Sequence, residues 1–227
     1  MSRLIAFGCS FTYGHGLPDC LLANNEPGDQ PSKFSWPYEL GKLTNRQVLN
    51  LSVPGSSNQE ILKRILSTEY MPDDLAVILW THYSRDELYV DSTFHGHNKD
   101  EFGECTVPIG SWMVDHDSYT AETRQLAKFY YLAHQDIDLL NRNWFRIHHA
   151  ETYLNSINIK NRSFFVEGKT FIDSAMKYLN FKNLSDLSLY SIMFEKFDKA
   201  DDGTHPGLEA HRQMALEIYK NITCSDD

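Results

Sequence analysis

The feature that most constrains the fold is Leu75–Trp80, an uninterrupted apolar run with the sequence LAVILW. A strand with one face in water alternates apolar and polar residues, whereas a strand of a parallel sheet is covered on both faces and is apolar throughout. Shorter apolar runs occur at Arg3–Phe7, 47–53 and 163–166, with helical spacing of apolar residues between them. Strands that alternate with helices predict an α/β fold with a doubly wound parallel sheet.

The helical segments complete this picture. Ser57 and Glu60 have the spacing of a capping box, and Ile61 and Ile65 give the helix after it an apolar stripe. Further helices are predicted at 36–43, 170–180, 185–194 and 206–222.

The segment between the third and fourth strands is longer than a crossover needs. Residues 88–120 have no clear period, and residues 121–157 carry two helical patterns. We therefore predict a single domain over residues 1–227, with an inserted helical and irregular cap at about 88–161.

The composition excludes several classes of protein. Apolar residues make up 41% and charged residues 23% of the chain, which is typical of globular domains. The net charge of −10 disfavours a nucleic-acid surface. No segment has the roughly 18 apolar residues that a membrane span needs, and the apolar run at 4–7 is too short for a signal peptide. Because the four cysteines form no CxxC pair, we expect reduced thiols in a cytoplasmic protein that does not bind membranes.

Two candidate functional segments follow the first two strands. Ser10 comes directly after the first strand, where backbone N–H groups and the helix dipole favour a developing oxyanion. Ser10 can equally be a plain N-cap. In residues 50–58, Gly55 either lets the backbone approach a substrate closely or simply forms a turn.

A third candidate segment precedes the last helix. Asp202 and His205 lie three residues apart there. A carboxylate beside an imidazole fixes its tautomer and stabilises the imidazolium that forms when it takes a serine proton. The alternative is that Asp202 or Thr204 caps the last helix and His205 is incidental.

Taken together and in this order, residues 7–14, 50–58 and 202–206 resemble sequence blocks of the SGNH (GDSL-like) hydrolase family. The resemblance spans nearly the whole chain. It implies a flavodoxin-like, three-layer α/β/α sandwich and ester hydrolysis through an acyl-serine intermediate, with no metal or cofactor.

The resemblance also implies a role for particular residues. Ser10 is the nucleophile, His205 is the general base, and Asp202 orients His205. The backbone N–H groups of Ser10 and Gly55 are oxyanion donors.

The block after the third strand departs from the family, which usually has Gly-x-Asn-Asp there and uses the Asn side chain as an oxyanion donor. This chain has no Asn in residues 81–87. Alignment from the strand puts His82 at the Asn position, with Tyr83 one residue away. Because an imidazole N–H can donate to an oxyanion, we predict that His82 takes this role.

Weaker indications of substrate contacts come from the residues around these blocks, namely Trp80, Tyr83, Arg85 and Asn58. Arg85 either binds an anionic substrate group or pairs with Asp86 or Glu87 in a solvated ion cluster, and we favour the ion cluster. Aromatic residues, 13% of the chain, concentrate near the insertion, where they suit sugar rings or pack the cap onto the sheet.

Two other sites are disfavoured. Cys9 precedes Ser10, but adjacent residues at the end of a strand point apart, so Cys9 is expected to be a small buried thiol rather than the nucleophile. The histidines outside these blocks lack metal-ligand spacing, so no metal site is predicted at His95, His97, His116, His148 or His149.

We therefore predict a serine esterase acting on small acyl esters, with carbohydrate O-acetyl groups as an example of its substrates. The alternative is a binding or structural module that keeps the fold, including carbohydrate binding, but has lost efficient catalysis. The absent Asn motivates this alternative.

Overall fold

The structure is a computed structural model that describes residues 2–24, 26–94, 98–99, 103, 105–166, 179 and 181–224. Its strands are β1 Arg3–Phe7, β2 Gln47–Asn50, β3 Leu75–Trp80, β4 Asp86–Tyr89, β5 Asn98–Lys99, β6 Cys105–Ile109 and β7 Lys160–Phe165. Its α-helices are α1 Ser10–Tyr13, α2 Trp36–Thr44, α3 Asn58–Ser67, α4 Ala121–Ala133, α5 Asp136–Ser156 and α6 Leu208–Thr223.

The central sheet is parallel and has the strand order β2-β1-β3-β7. An isolated parallel bridge between Ser163 and Leu184 continues the sheet beyond β7. The predicted parallel sheet is confirmed. The second strand ends three residues earlier than predicted, at Asn50, and the fourth begins three residues earlier, at Lys160.

Helices cover both faces of this sheet, which explains why its inner strand β3 is apolar and buried throughout. Ile5 and Phe7 belong to an apolar cluster with α3 and α5. Leu4 and Ala6, which alternate with them, belong to a second cluster with α2 and α6. The result is the predicted three-layer α/β/α sandwich.

The structure corrects the extent of the predicted insertion. Trp144, Ile147 and Ala150 of α5 pack into the same cluster as the sheet residue Phe165, so α5 is a layer helix of the sandwich. The separate unit is shorter, running from β4 to α4. The predicted boundary was too wide because an apolar helix stripe does not indicate what it packs against.

The inserted unit has its own small core. Its antiparallel sheet has the order β4-β6-β5, and α4 packs against it. Buried members of this core include Val107, Ile109, Met113, Ala127 and Tyr130. The residues predicted to be irregular therefore form strands in part.

Two predicted helices remain. The segment 170–180 lies outside the described residues except for residue 179. The helix predicted at 185–194 is wrong for its first half, because residues 185–189 are irregular. Residues 190–191 are helical, and a π-helical turn covers Ile192–Lys196.

Two predictions made from the composition also bear on the fold. All four cysteines are free. No helix in the described part of the chain is both long and apolar enough to cross a membrane.

Candidate active site

Ser10 lies at the carboxyl end of β1, as the first residue of the one-turn helix α1. Cys9 is the N-cap residue of this turn, and its side chain makes no cap hydrogen bond. The alternative reading of Ser10 as a simple N-cap is therefore not supported. Cys9 is fully buried and packs in the α2 and α6 cluster, as expected for a structural thiol.

Asp202 and His205 form a directly bonded pair in the loop before α6. The His205 Nδ1 and the Asp202 Oδ2 are 2.5 Å apart. A carboxylate oxygen only accepts, so Nδ1 carries the proton and Nε2 of the neutral ring is the acceptor. The other carboxylate oxygen, Oδ1, accepts from the backbone N–H groups of Thr204 at 2.9 Å and His205 at 3.0 Å. The carboxylate therefore fixes both the ring and the loop that carries it.

The electrostatics of this pair suit proton transfer. Burial opposes ionisation of Asp202, but hydrogen bonds from the backbone of His205 and Thr204 and from the His205 ring lower its pKa to about 2. Burial lowers the pKa of His205. The carboxylate of Asp202 raises this pKa in part, and the positive charges of His15 and Arg85 lower it further. His205 is therefore neutral near neutral pH, which is the form that a general base requires.

Contacts between two loops bring His205 beside the turn that carries Ser10. The His205 ring lies 5.7 Å from the Phe11 ring and 4.5 Å from the His15 ring, measured between centroids. The backbone N–H of Asp201 donates to the carbonyl of Gly16 at 3.1 Å. Gly16 has φ +87°, and a Cβ there would lie 2.8 Å from the Asp202 carboxyl carbon, so this close approach requires glycine.

A direct contact between Ser10 and His205 is not made. Among the described residues, no hydrogen bond joins Ser10 Oγ to His205. Ser10 is 7% exposed. Catalytic hydrogen bonds in unliganded enzymes are often long and tighten when substrate binds.

Gly55 lies in the turn after β2, beside the first strand. It is exposed and has φ +84°, a left-handed conformation that favours glycine. The N–H of Val53 donates to the carbonyl of Gly8 at 3.2 Å. The Asn50 side chain donates to the carbonyl of Thr12 at 3.0 Å, so it ties the β2 loop to α1. Sequence reasoning assigned no role to Asn50, although an Asn that ends a strand is a signal for such a link.

His82 reaches the same turn from the end of β3. Its half-buried ring packs edge-on against Phe11, with the centroids 6.4 Å apart. Phe11 therefore contacts both His82 and His205. Tyr83 is half-buried and packs against both the sheet core and the core of the inserted unit.

Two predicted substrate contacts are corrected by their burial. Asn58 is 0% exposed: its side-chain oxygen accepts from the backbone N–H of Thr81 at 2.8 Å, and its amide nitrogen donates to Asn143 Oδ1 at 2.7 Å. Trp80 is also 0% exposed, within the sheet core. Asn58 joins α3, β3 and α5, and Trp80 packs the sheet, so neither side chain is placed to touch a substrate.

The ion cluster that we favoured for Arg85 is not what forms. Asp86 is buried and pairs with Arg146 at 2.9 Å, and Glu87 is buried and pairs with Lys63 at 3.1 Å. Arg85 lies instead with its guanidinium carbon 4.8 Å from the centre of the Trp112 ring.

His15 lies beside the Asp202–His205 pair, and sequence reasoning did not single it out. One group of side chains in the described part of the chain could hold a metal ion. It consists of His15, Asp202 and His205, whose nitrogen and oxygen ligand atoms all lie within 4.8 Å of one another. Asp202 and His205 already bond to each other. The only signal for His15 was its position between two glycines. His95 and His97 lie outside the described residues.

Two clefts among the described residues lie away from this cluster. A cleft of about 540 Å³ lies at the amino ends of the strands, beside Leu75 and Lys160, and one of about 640 Å³ lies between α2 and β2. The assignment of the site therefore depends on side-chain chemistry and not on cavity size.

Comparisons with known proteins reach the same fold. No family model matches the sequence, and no curated protein has a similar sequence. A structure assigned to the lipolytic G-D-S-L family, from Desulfitobacterium hafniense DCB-2, superposes with a TM-score of 0.51 at 15% identity, covering 96% of this chain and 98% of that chain.

Two esterase structures are also similar. The acetyl xylan esterase Est2A from Butyrivibrio proteoclasticus has a TM-score of 0.56 at 11% identity, and the match covers 99% of this chain but only 65% of that one. The esterase EstA from Pseudoalteromonas sp. has a TM-score of 0.51 at 10% identity, covering 97% and 96% of the two chains. This chain therefore has the α/β/α sandwich fold of the SGNH (GDSL-like) hydrolases.

Proposed function

We propose that this protein is a serine esterase that cleaves small acyl esters, with Ser10, His205 and Asp202 as its catalytic residues. The observation that carries the proposal is the Asp202–His205 pair, 2.5 Å apart and packed against the turn that bears Ser10. A half-buried, neutral imidazole oriented by a carboxylate is the base that a serine hydroxyl requires.

In the proposed reaction, Ser10 Oγ attacks the ester carbonyl while His205 Nε2 takes its proton. The backbone N–H groups of Ser10 and Gly55, with the ring of His82 in place of the usual Asn, stabilise the negative charge on the carbonyl oxygen. His205 then gives the proton to the leaving alcohol. Water, activated by the same imidazole, releases the acyl group from Ser10.

The proposed substrates include O-acetyl groups on carbohydrate. Support comes from exposed aromatic side chains on the inserted unit, Trp112 at 43% and Tyr89 at 52%. Aromatic faces suit the apolar faces of sugar rings. The similarity to an acetyl xylan esterase agrees with this preference.

The test compares hydrolysis of 4-nitrophenyl acetate by the wild type and by Ser10→Ala. Ser67→Ala is the matched control, because Ser67 is exposed at the end of α3. We expect turnover by the wild type and the control and none by Ser10→Ala. Equal rates for all three proteins would refute the assignment of Ser10. Acetylated xylo-oligosaccharides then test the carbohydrate preference.

A binding module is the second candidate, favoured by the absent Asn after β3 and by the unformed bond between Ser10 and His205. It predicts no turnover on any ester, together with saturable binding of acetylated xylo-oligosaccharides to the wild type.

A further inference from the structure

Arg85 is a positive charge that the proposed reaction does not use. It lies in the loop between β3 and β4, three residues after His82, and the backbone N–H of Arg85 donates to the carbonyl of His82 at 3.0 Å. Its charge is among those that lower the pKa of His205. The guanidinium is therefore electrostatically coupled to the proposed catalytic base.

Among the residues that the structure describes, no acidic side chain neutralises the charge of Arg85. Its Nε and Nη1 atoms are buried and have no hydrogen-bond acceptor, and no carboxylate in the described part of the chain pairs with it. The adjacent acids are unavailable, because Asp86 is bonded to Arg146 and Tyr130 and Glu87 is bonded to Lys63. A partly desolvated cation with no counter-ion attracts an anion more strongly than a solvated one.

The surroundings of Arg85 hold the side chain in place. The guanidinium carbon lies 4.8 Å from the centre of the Trp112 ring. This cation–π contact holds the guanidinium group in place and leaves its positive charge without a counter-ion. The hydroxyl of Tyr131 donates to the carbonyl of Ser84, so α4 fixes the loop that carries Arg85. Arg85 therefore lies where the inserted unit meets the end of β3.

We propose that Arg85 binds a carboxylate carried by the ester substrate, so that the enzyme prefers anionic esters to neutral esters of the same shape. This inference rests on the proposed esterase function and names the substrate class of that site. The planar guanidinium matches a carboxylate, and binding energy from this non-reacting group would orient the scissile bond. The carboxylate belongs either to the acyl part of the ester or to its alcohol part. An acidic sugar is an example of an alcohol part that carries a carboxylate.

Two matched substrate pairs distinguish these sources. On the acyl side, 4-nitrophenyl hydrogen glutarate is compared with 4-nitrophenyl pentanoate. On the alcohol side, 3-acetoxybenzoate is compared with 3-acetoxybenzamide. We expect kcat/KM for the anionic member of one pair to exceed that of its neutral match by about ten- to a hundredfold, the value of a charged hydrogen bond.

The variants show whether Arg85 causes this preference. Arg85→Met removes the charge but keeps a long stem against Trp112. The ratio of kcat/KM between the anionic and the neutral ester of the pair should fall to about one, because any effect of the lost charge on His205 is common to both esters and cancels in the ratio. Arg85→Lys should keep part of the preference for the anionic ester, because lysine keeps the positive charge but lacks the planar guanidinium. Arg124→Met is the control for net charge, because Arg124, on α4, forms an exposed ion pair with Asp117. This control should keep the full preference.

The outcomes separate the two proposals. Turnover of the neutral esters without preference in either pair, or a preference that survives in Arg85→Met, overturns the carboxylate site and leaves the esterase standing. If no ester is hydrolysed, titration calorimetry of both anionic esters with Ser10→Ala and Ser10→Ala/Arg85→Met decides the question. Binding lost in the double variant keeps the anion site although the esterase fails, and equal or absent binding overturns both.

Discussion

His205 donates its Nδ1 proton to Asp202 over 2.5 Å, and the same carboxylate accepts two backbone N–H groups of the loop that carries His205. One side chain thus sets both the tautomer of the ring and the position of the loop. Because these hydrogen bonds lower the pKa of Asp202 to about 2, the carboxylate is ionised at neutral pH.

The first prediction concerns this carboxylate. Asp202→Asn should lower kcat by about 10³–10⁴-fold, because an amide stabilises neither the required tautomer nor the imidazolium. KM should change little. Steady-state kinetics on 4-nitrophenyl acetate measure both, with the exposed neighbour Asp201→Asn as the control. A kcat within about threefold of the wild type would contradict an orienting role for Asp202.

The second prediction concerns the pH profile. Burial, reinforced by the charges of His15 and Arg85, lowers the pKa of His205 below its ordinary 6.5. The value of kcat/KM should therefore rise with pH to a plateau, with a midpoint below 6.5. His15→Gln removes one of these charges, so the midpoint should move to higher pH. The control is His116→Gln, which alters an exposed histidine of the inserted unit. An unchanged midpoint in His15→Gln would show that His15 does not tune the base.

The parallel sheet was predictable because its evidence is local in sequence. An apolar run such as Leu75–Trp80 is compatible with few environments, and Asp202 and His205 lie close enough along the chain for their pairing to be inferred. Ser10 lies directly after the first strand, as the sequence indicates, and its role as the nucleophile stays a prediction.

Other features were not predictable because their partners are distant in sequence. Asp86 bonds to Arg146, 60 residues away, and this removes the acid that was expected to pair with Arg85. Asn58 bonds to Asn143, 85 residues away, and this buries a side chain that was expected to face substrate. Local spacing cannot show which of several possible partners an ionic or amide group will meet in the folded chain.

The third prediction concerns the oxyanion site. His82→Ala should lower kcat by about 10²–10³-fold with a smaller effect on KM, because an oxyanion donor acts mainly in the transition state. His82→Asn restores the residue that SGNH hydrolases usually have and should keep much more of the rate than His82→Ala. Equal rates for the wild type and His82→Ala would place the third donor elsewhere.

The fourth prediction concerns the buried amide of Asn58. Asn58→Ala should reduce the free energy of unfolding by about 1–3 kcal/mol, because it leaves the Thr81 N–H and the Asn143 carbonyl without their partner. Urea unfolding measures this loss. Asn141→Ala, at an exposed position of α5, is the control and should be close to neutral. A neutral Asn58→Ala with impaired substrate affinity would instead restore the substrate contact predicted from the sequence.

The last prediction concerns His211, a fully buried histidine of α6. Its Nδ1 accepts from the backbone N–H of Trp36 at 3.0 Å, so it caps the start of α2 in its neutral form. Burial, reinforced by the charge of His205, lowers its pKa from 6.5 to about 3. The unfolded chain therefore binds a proton that the folded chain does not, and the contribution of His211 to stability is full above pH 6.5 and is lost as the pH falls towards 3. The slope from this group should approach about 1.4 kcal/mol per pH unit in that window.

His211→Asn keeps an acceptor near the Trp36 N–H but does not titrate. Urea unfolding at about pH 7.5 and about pH 5 should show a less stable variant with a smaller loss between the two pH values. If the variant lost as much stability as the wild type over this range, the acid sensitivity would come from other groups.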